Sequence, residues 1–253
     1  MKYKIYFLAA ILLAALQTKA QQFINKGTIE FEVITNIKKT MPDVSYLNEL
    51  KESMPTFKTA YFDYTFADNK SIYKFTHYDE KKAKIPEFFT NGDDDNEWYS
   101  DFNTGINYVQ KSIWNSPFNL KDSIKDIQWK LSNESRMIAG FNCRKAVGKI
   151  MDSVYVFAFY TDEITISGGP CTIHGLPGMI LGVTIPRLYM SILATKLMVN
   201  DVKTDIIKPT AAKKYYTPKE LKDVLAKRWQ NDGDEGNEEN KKWKEQMYWN
   251  LLL

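Results

Sequence analysis

Residues Ser167 to Pro186 concentrate glycine and proline more than any other part of this 253-residue chain. The segment reads Ser-Gly-Gly-Pro-Cys-Thr-Ile-His-Gly-Leu-Pro-Gly-Met-Ile-Leu-Gly-Val-Thr-Ile-Pro and holds one of the two cysteines and one of the two histidines. Gly admits positive φ and Pro fixes its own φ, so Gly168-Gly169-Pro170 and Gly175-Leu176-Pro177-Gly178 read as turns. Pro177 and Gly178 fit the second and third positions of a type II turn. Leu181, Val183 and Ile185 then alternate with smaller residues, as in a half-buried strand. Two readings are open. The segment is a structural loop feeding a core strand, or Gly175, Leu176, Pro177 and Gly178 form a rigid exposed rim that meets a ligand or partner.

The first twenty residues stand apart. Lys2 and Lys4 precede an apolar run from Ile5 to Leu16, and Thr18-Lys19-Ala20 resembles a cleavage site, so residues 1–20 are predicted to be a signal peptide. The run is too short to span a bilayer as a permanent helix. No cysteine follows Ala20 to carry a lipid, and no later segment is apolar enough to span. The expected mature protein is soluble and exported, to the periplasm or beyond the cell. The leader holds Lys2, Lys4 and Lys19, and the full chain has a formal charge of +3, so the mature part is neutral. With no basic cluster interleaved with aromatics, nucleic acid is excluded as a partner.

The mature chain reads as mainly β (α+β): an extended curved antiparallel sheet, a meander, with C-terminal helices packed on it. Residues 21–210 are expected to form the β-rich domain, and 211–253 a helical segment on the same domain. Ile29, Phe31 and Val33 alternate with Thr28, Glu30 and Glu32 as a strand with one wet face. A helical insertion is expected near 43–54, capped by Asp43, with Val44, Leu47 and Leu50 on one side. Thr59–Phe66 and Ser71–Tyr78 read as a hairpin turning at Asp68-Asn69, and Tyr73, Phe75 and His77 share a face. Trp98-Tyr99, Tyr108–Trp114, Ile124–Leu131 and Met137–Lys149 continue the short strands. Val154–Tyr160 is apolar on both faces, as in a central covered strand, and Leu188–Val199 supplies another. The acidic runs at 93–97 and 232–239 lack the Gly and Glu positions of a calcium loop and read as solvated connections. Near the end, Thr217-Pro218-Lys219-Glu220 is a capping box. Leu221, Val224, Leu225 and Trp229 form one apolar helical face, and Trp243, Met247 and Leu251 another.

Gly175-Leu-Pro-Gly-Met-Ile180, with Tyr160-Thr-Asp-Glu-Ile-Thr-Ile-Ser-Gly-Gly-Pro170 before it and Ile138-Ala-Gly-Phe-Asn-Cys-Arg-Lys-Ala146 upstream, resembles the GLPGLI family of secreted Bacteroidota proteins. Met179 stands where the name motif has Leu, and His174 where the family places a cysteine. The resemblance implies export and a β-rich fold. It brings no activity with it.

Two cysteines in an exported chain suggest one disulfide, Cys143–Cys171, worth about 3–4 kcal/mol if unstrained. The alternative is a metal site with Cys143, Cys171 and His174 as three ligands. A Ser-His-Asp triad would have to use His77 or His174, and neither a Gly-x-Ser-x-Gly elbow nor a His-Glu-x-x-His motif occurs. No cofactor is predicted. The favoured function is a non-catalytic envelope carrier binding an apolar ligand, given 14 Phe, 15 Tyr and 6 Trp to line a cavity. The alternative is a module that docks an outer-membrane protein.

Overall fold

In the computed structural model the alternation at Ile29, Phe31 and Val33 becomes strand β1 (Gly27–Asn36), which lies at the middle of an 11-stranded sheet. The structure describes residues 23–41, 45–79, 81–82, 85–86, 90, 93–113, 116–199, 202–231 and 238–253. The predicted signal peptide, the Asp43 cap and most of the second acidic run lie outside them. From β1 the chain runs outward through β2 (Phe57–Ala67), β3 (Lys70–Tyr78), β4 (Glu97–Asp101), β5 (Ile106–Ile113) and β6 (Ser116–Ser123). It then crosses to the far edge and returns through β7 (Lys130–Ile138), β8 (Phe141–Ile150), β9 (Val154–Thr161), β10 (Met179–Ile185) and β11 (Met190–Met198). β11 closes against β1, so the sheet order is β6-β5-β4-β3-β2-β1-β11-β10-β9-β8-β7, every neighbour antiparallel.

Residues directly opposite one another share a face, so two rows define the inner side. Ala60, Val33, Ile192, Val183, Ala158 and Ala146 stand in one row, and Ile29, Tyr64, Tyr73, Trp98, Val109 and Leu120 in the other. All twelve are buried in one continuous core. Leu221 and Leu225 of helix α3 (Pro218–Asn231) and Trp249 of helix α4 (Glu238–Leu252) belong to the same cluster. The capping box forms as expected: Glu220 N donates to Thr217 Oγ1 (3.2 Å) and Thr217 N to Glu220 Oε2 (2.8 Å).

Several expectations change. A bulge between Tyr61 and Phe62 resets the alternation in the β2–β3 pair, so Phe75 faces Phe62 while His77 pairs with Tyr61. His77 therefore leaves the aromatic stripe and stacks on the Tyr61 ring at 4.7 Å. Residues 124–129 are irregular rather than a strand, and the strand before them is β6. Pro117 and the polar alternation disguised it, and both are tolerated because β6 is an edge. Its outer backbone is partly covered by Tyr216, which exchanges hydrogen bonds with Asn119 O (2.7 Å) and Lys121 N (3.0 Å). The expected segment 137–149 breaks at Ala139-Gly140, where φ of 49° and 88° makes a two-residue hairpin turn.

Strand β9 is fully covered on its inner side and partly on its outer one, where Tyr155 is exposed, Phe157 and Phe159 are half-buried and Thr161 is buried. Phe157 and Phe159 are apolar outside because cations lie over them: the Arg136 guanidinium is 3.9 Å from the Phe159 ring centre, and Lys145 is 5.8 Å from that of Phe157. The helical insertion expected near 43–54 is a single 3-10 turn, Ser45–Leu47, followed by helix α2 (Asn48–Ser53), which buries none of its residues; a separate four-residue helix, α1 (Ile37–Thr40), precedes it. Among the described side chains of α4 the most buried is Trp249, beneath Arg187, rather than the Trp243–Met247–Leu251 stripe.

Candidate functional site

The Gly/Pro-rich segment runs inward rather than along the surface. Between β9 and β10, residues 162–178 pass over the inner face, and Ile164, Ile166, Cys171, Ile173, His174 and Leu176 are buried. Backbone groups that a buried loop cannot leave unpaired find partners: Gly175 N donates to Ser167 O (3.1 Å), Ile180 N to Gly168 O (2.9 Å) and Thr172 N to Leu253 O (3.1 Å). Close approach demands glycine at position 168, where a Cβ would stand 2.2 Å from the Tyr64 hydroxyl.

The expected type II turn is replaced by a tighter one. Gly178 N donates to Leu176 O (2.8 Å), closing a three-residue turn around Pro177, while Met179 N is taken by Ile164 O (3.1 Å). Leu176 is a core residue, 1% exposed; only Gly175 and Pro177 of the four candidate rim residues reach solvent, and Gly178 is buried.

The expected Cys143–Cys171 disulfide is absent, and both thiols are free and buried. Alternation explains the separation. Cys143 is an odd number of residues from the inner-facing Ala146 within one uninterrupted strand, so it lies on the outer side. Cys171 lies inside, in the wall of a chamber shared with Val33, Ala60 and Ile192. The sheet stands between them. Among the described residues no group of three His, Cys, Asp or Glu side chains could hold a metal ion, so Cys143, Cys171 and His174 do not come together as ligands. Burial pushes the Cys143 thiol up to about 11 and the Cys171 thiol up to about 12, the latter opposed by Lys111. Both are therefore poor nucleophiles. Reductant is expected to leave the mass of the native protein unchanged, and a thiol reagent to label both cysteines only after denaturation. A native mass two protons light, restored by reduction, would reinstate the bridge.

The inward loop and residues 251–253 separate two cavities. The larger, about 510 Å3, opens between β5–β6, the 124–129 connection and the β8–β9 turn. Val109, Leu120, Ile127, Ile150, Leu251 and Leu252 give it a mostly apolar wall, and half-buried Asp122 with exposed Lys125, Asp126, Lys149 and Asp152 adds charge to the lining. Asn107 and His174 supply polarity in depth. Asn107 is buried, and its Oδ1 has no hydrogen-bond partner. Burial pushes the His174 imidazole below its ordinary range, with Asp126 acting the other way. His174 O accepts from Trp129 Nε1 at 2.9 Å, and its ring meets Phe102 edge-on at 6.0 Å. The smaller cavity, about 270 Å3, holds Cys171, Tyr73 and Lys111. Sequence reading placed His174 and Cys171 among the candidates but missed Asn107 and Lys111. The available signal was parity: both lie two residues from Val109 on β5, hence on the inner face.

A family described as a protein of unknown function (Porph_ging) matches residues 148–182. That span covers the end of β8, all of β9, the inward loop and the start of β10. No curated protein matches the sequence. Among solved structures, PNGF-II in its P21 and C2 space groups is similar at 14% and 13% identity, with a TM-score of 0.50 in both cases. Each alignment covers 80% of this chain and 33% of PNGF-II, so the chain spans about a third of that protein's length. The likeness is one of fold. An uncharacterized conserved protein from Thermus thermophilus aligns over 76% of this chain and 90% of its own at 6% identity and a TM-score of 0.39.

Proposed function

We propose that the protein is an exported, non-catalytic carrier of an apolar ligand, of the GLPGLI kind its Gly175–Ile180 segment resembles. The observation that supports this is the mostly apolar cavity of about 510 Å3, a size in the range of roughly 300–1,000 Å3 typical of small-molecule sites. In this reading residues 1–20 are a leader removed on export, and α3 and α4 cover the inner face of a curved sheet. The inward loop floors the site. Val109, Leu120 and Ile127 receive the apolar body, and Asn107 and His174 orient a polar end.

Native mass spectrometry of the mature protein, purified from its native envelope, is expected to show added mass that denaturation removes. Ile127→Trp, which fills the cavity from its wall, is expected to lose that mass while remaining folded. Bare wild-type protein would overturn the carrier reading and turn attention to docking of an outer-membrane protein through Gly175 and Pro177.

A further inference from the structure

The smaller chamber has a different chemistry. Val33, Phe62 and Ile192 give it an apolar wall. The same sheet face brings two donors into the lining, Tyr73 and Lys111, with the Tyr73 ring stacked on Phe62 at 4.9 Å, and the inward loop adds the Cys171 thiol. Tyr73 is 1% exposed and its hydroxyl has no hydrogen-bond partner, an arrangement that is costly unless something in the chamber accepts from it. Lys58, in the same wall, is engaged by Asp93 at 2.7 Å, and Asp93 also accepts from Tyr78. Lys111 differs. Its Nζ donates to the Asn250 carbonyl and lies 4.9 Å from the centre of the Trp98 ring, and no ion pair among the described residues engages it.

We propose that this chamber is a second binding site that takes a short-chain carboxylate, its head on Lys111 and Tyr73 and its chain against Val33, Phe62 and Ile192. The inference does not rest on the carrier reading of the larger cavity. An ammonium and an unpartnered hydroxyl in the lining of a largely apolar chamber complement an acid head on an apolar body, because charge-assisted hydrogen bonds are strongest where water is excluded. At ~30 Å3 per water, 270 Å3 holds roughly nine water volumes, which suits an acid the size of hexanoate. The groups that face Lys111 set its charge. Burial and Lys58 lower it while Cys171 and Asp93 raise it, leaving a value of about 8. The amine is thus cationic at neutral pH and releases its proton just above.

The test is an NMR titration with carboxyl-labelled hexanoate. Wild type is expected to bind it saturably at neutral pH, with affinity falling by up to tenfold per pH unit above about 8. Tyr73→Phe, which keeps the ring, is expected to weaken binding roughly tenfold, and Lys111→Met to abolish it. Hexan-1-ol is expected to bind at least tenfold more weakly than the acid. Ile127→Trp should bind hexanoate as wild type does, which separates this site from the larger cavity. Absent saturation, equal binding by Lys111→Met, equal affinity for the alcohol, or loss only in Ile127→Trp would each overturn the proposal. Co-purified mass missing while hexanoate still binds would sink the carrier reading alone.

Discussion

Gly178→Ala is expected to destabilise the protein by about 3–5 kcal/mol, a large share of the roughly 5–15 kcal/mol that holds an ordinary domain together. Two costs add. At Gly178 φ is +128°, a backbone conformation that costs an L-residue about 1–3 kcal/mol. A Cβ there would also stand 2.0 Å from Thr161 O and 2.9 Å from Asp162 Cα. Those are backbone atoms held by the β9–β10 pairing, in which Met179 opposes Thr161, so they cannot rotate away and the overpacking cost is of order 1–3 kcal/mol. Neighbouring positions serve as controls. Gly175→Ala meets only Trp129 Nε1 at 3.7 Å, so it carries the conformational cost of its φ of +90° and little else, about 1–2 kcal/mol. Pro177→Ala, at an exposed position, should cost about 1 kcal/mol or less. Urea denaturation of the three variants gives the ranking. Equal losses at 175 and 178 would show that the loop can retreat from β9.

Lys111→Met is expected to act in the opposite direction, stabilising the protein by about 3 kcal/mol at pH 7. Lys111 falls from an ordinary value of 10.5 to about 8 on folding, chiefly through burial. Below pH 8 the amine is protonated in both states, so the folded state bears the full cost of the shift, at about 1.4 kcal/mol per unit. Between pH 8 and 10.5 the unfolded chain binds the extra proton, and wild-type stability from this group rises with pH. Above 10.5 both states are neutral and the cost is gone. The advantage of the methionine variant should therefore shrink to about 1 kcal/mol by pH 10. Raised thiol values at Cys143 and Cys171 act in the reverse sense, since the unfolded chain loses those protons first, but both proteins carry them and the difference largely removes them. Denaturation curves at pH 7 and pH 10 decide it. A difference that does not change with pH would show that the amine is solvated.

What the chain disclosed by itself was local. The alternation at Ile29–Val33, the Asp68-Asn69 turn and the Thr217–Glu220 capping box are set within a few residues, and each forms where expected. What it concealed depends on contacts between distant segments. The bulge that turns His77 outward is a property of the β2–β3 register, and no single strand carries it. The cysteines looked like partners because compartment arguments ignore sheet faces; with Cys143 outside and Cys171 inside, pairing them would require crossing the sheet. Nothing within the expected strand Tyr108–Trp114 singles out Lys111. Only the row through Trp98 and Val109 shows that its side of β5 is the inner one.

The sheet order has a kinetic side. Strands β2 to β6 can be laid down one hairpin after another, and so can β7 to β10, but neither run is joined to the other until β11 reaches β1, where Thr28 pairs with Met198 and Thr35 with Met190. That seam joins residues far apart in sequence, and such closures are slow because the entropy of the intervening chain must be lost before any contact repays it. Until it closes, β1 presents an unpaired edge beside Phe31 and Val33, the kind of edge that recruits other chains. The last pairing to form thus also ends the interval in which the protein is most prone to self-association.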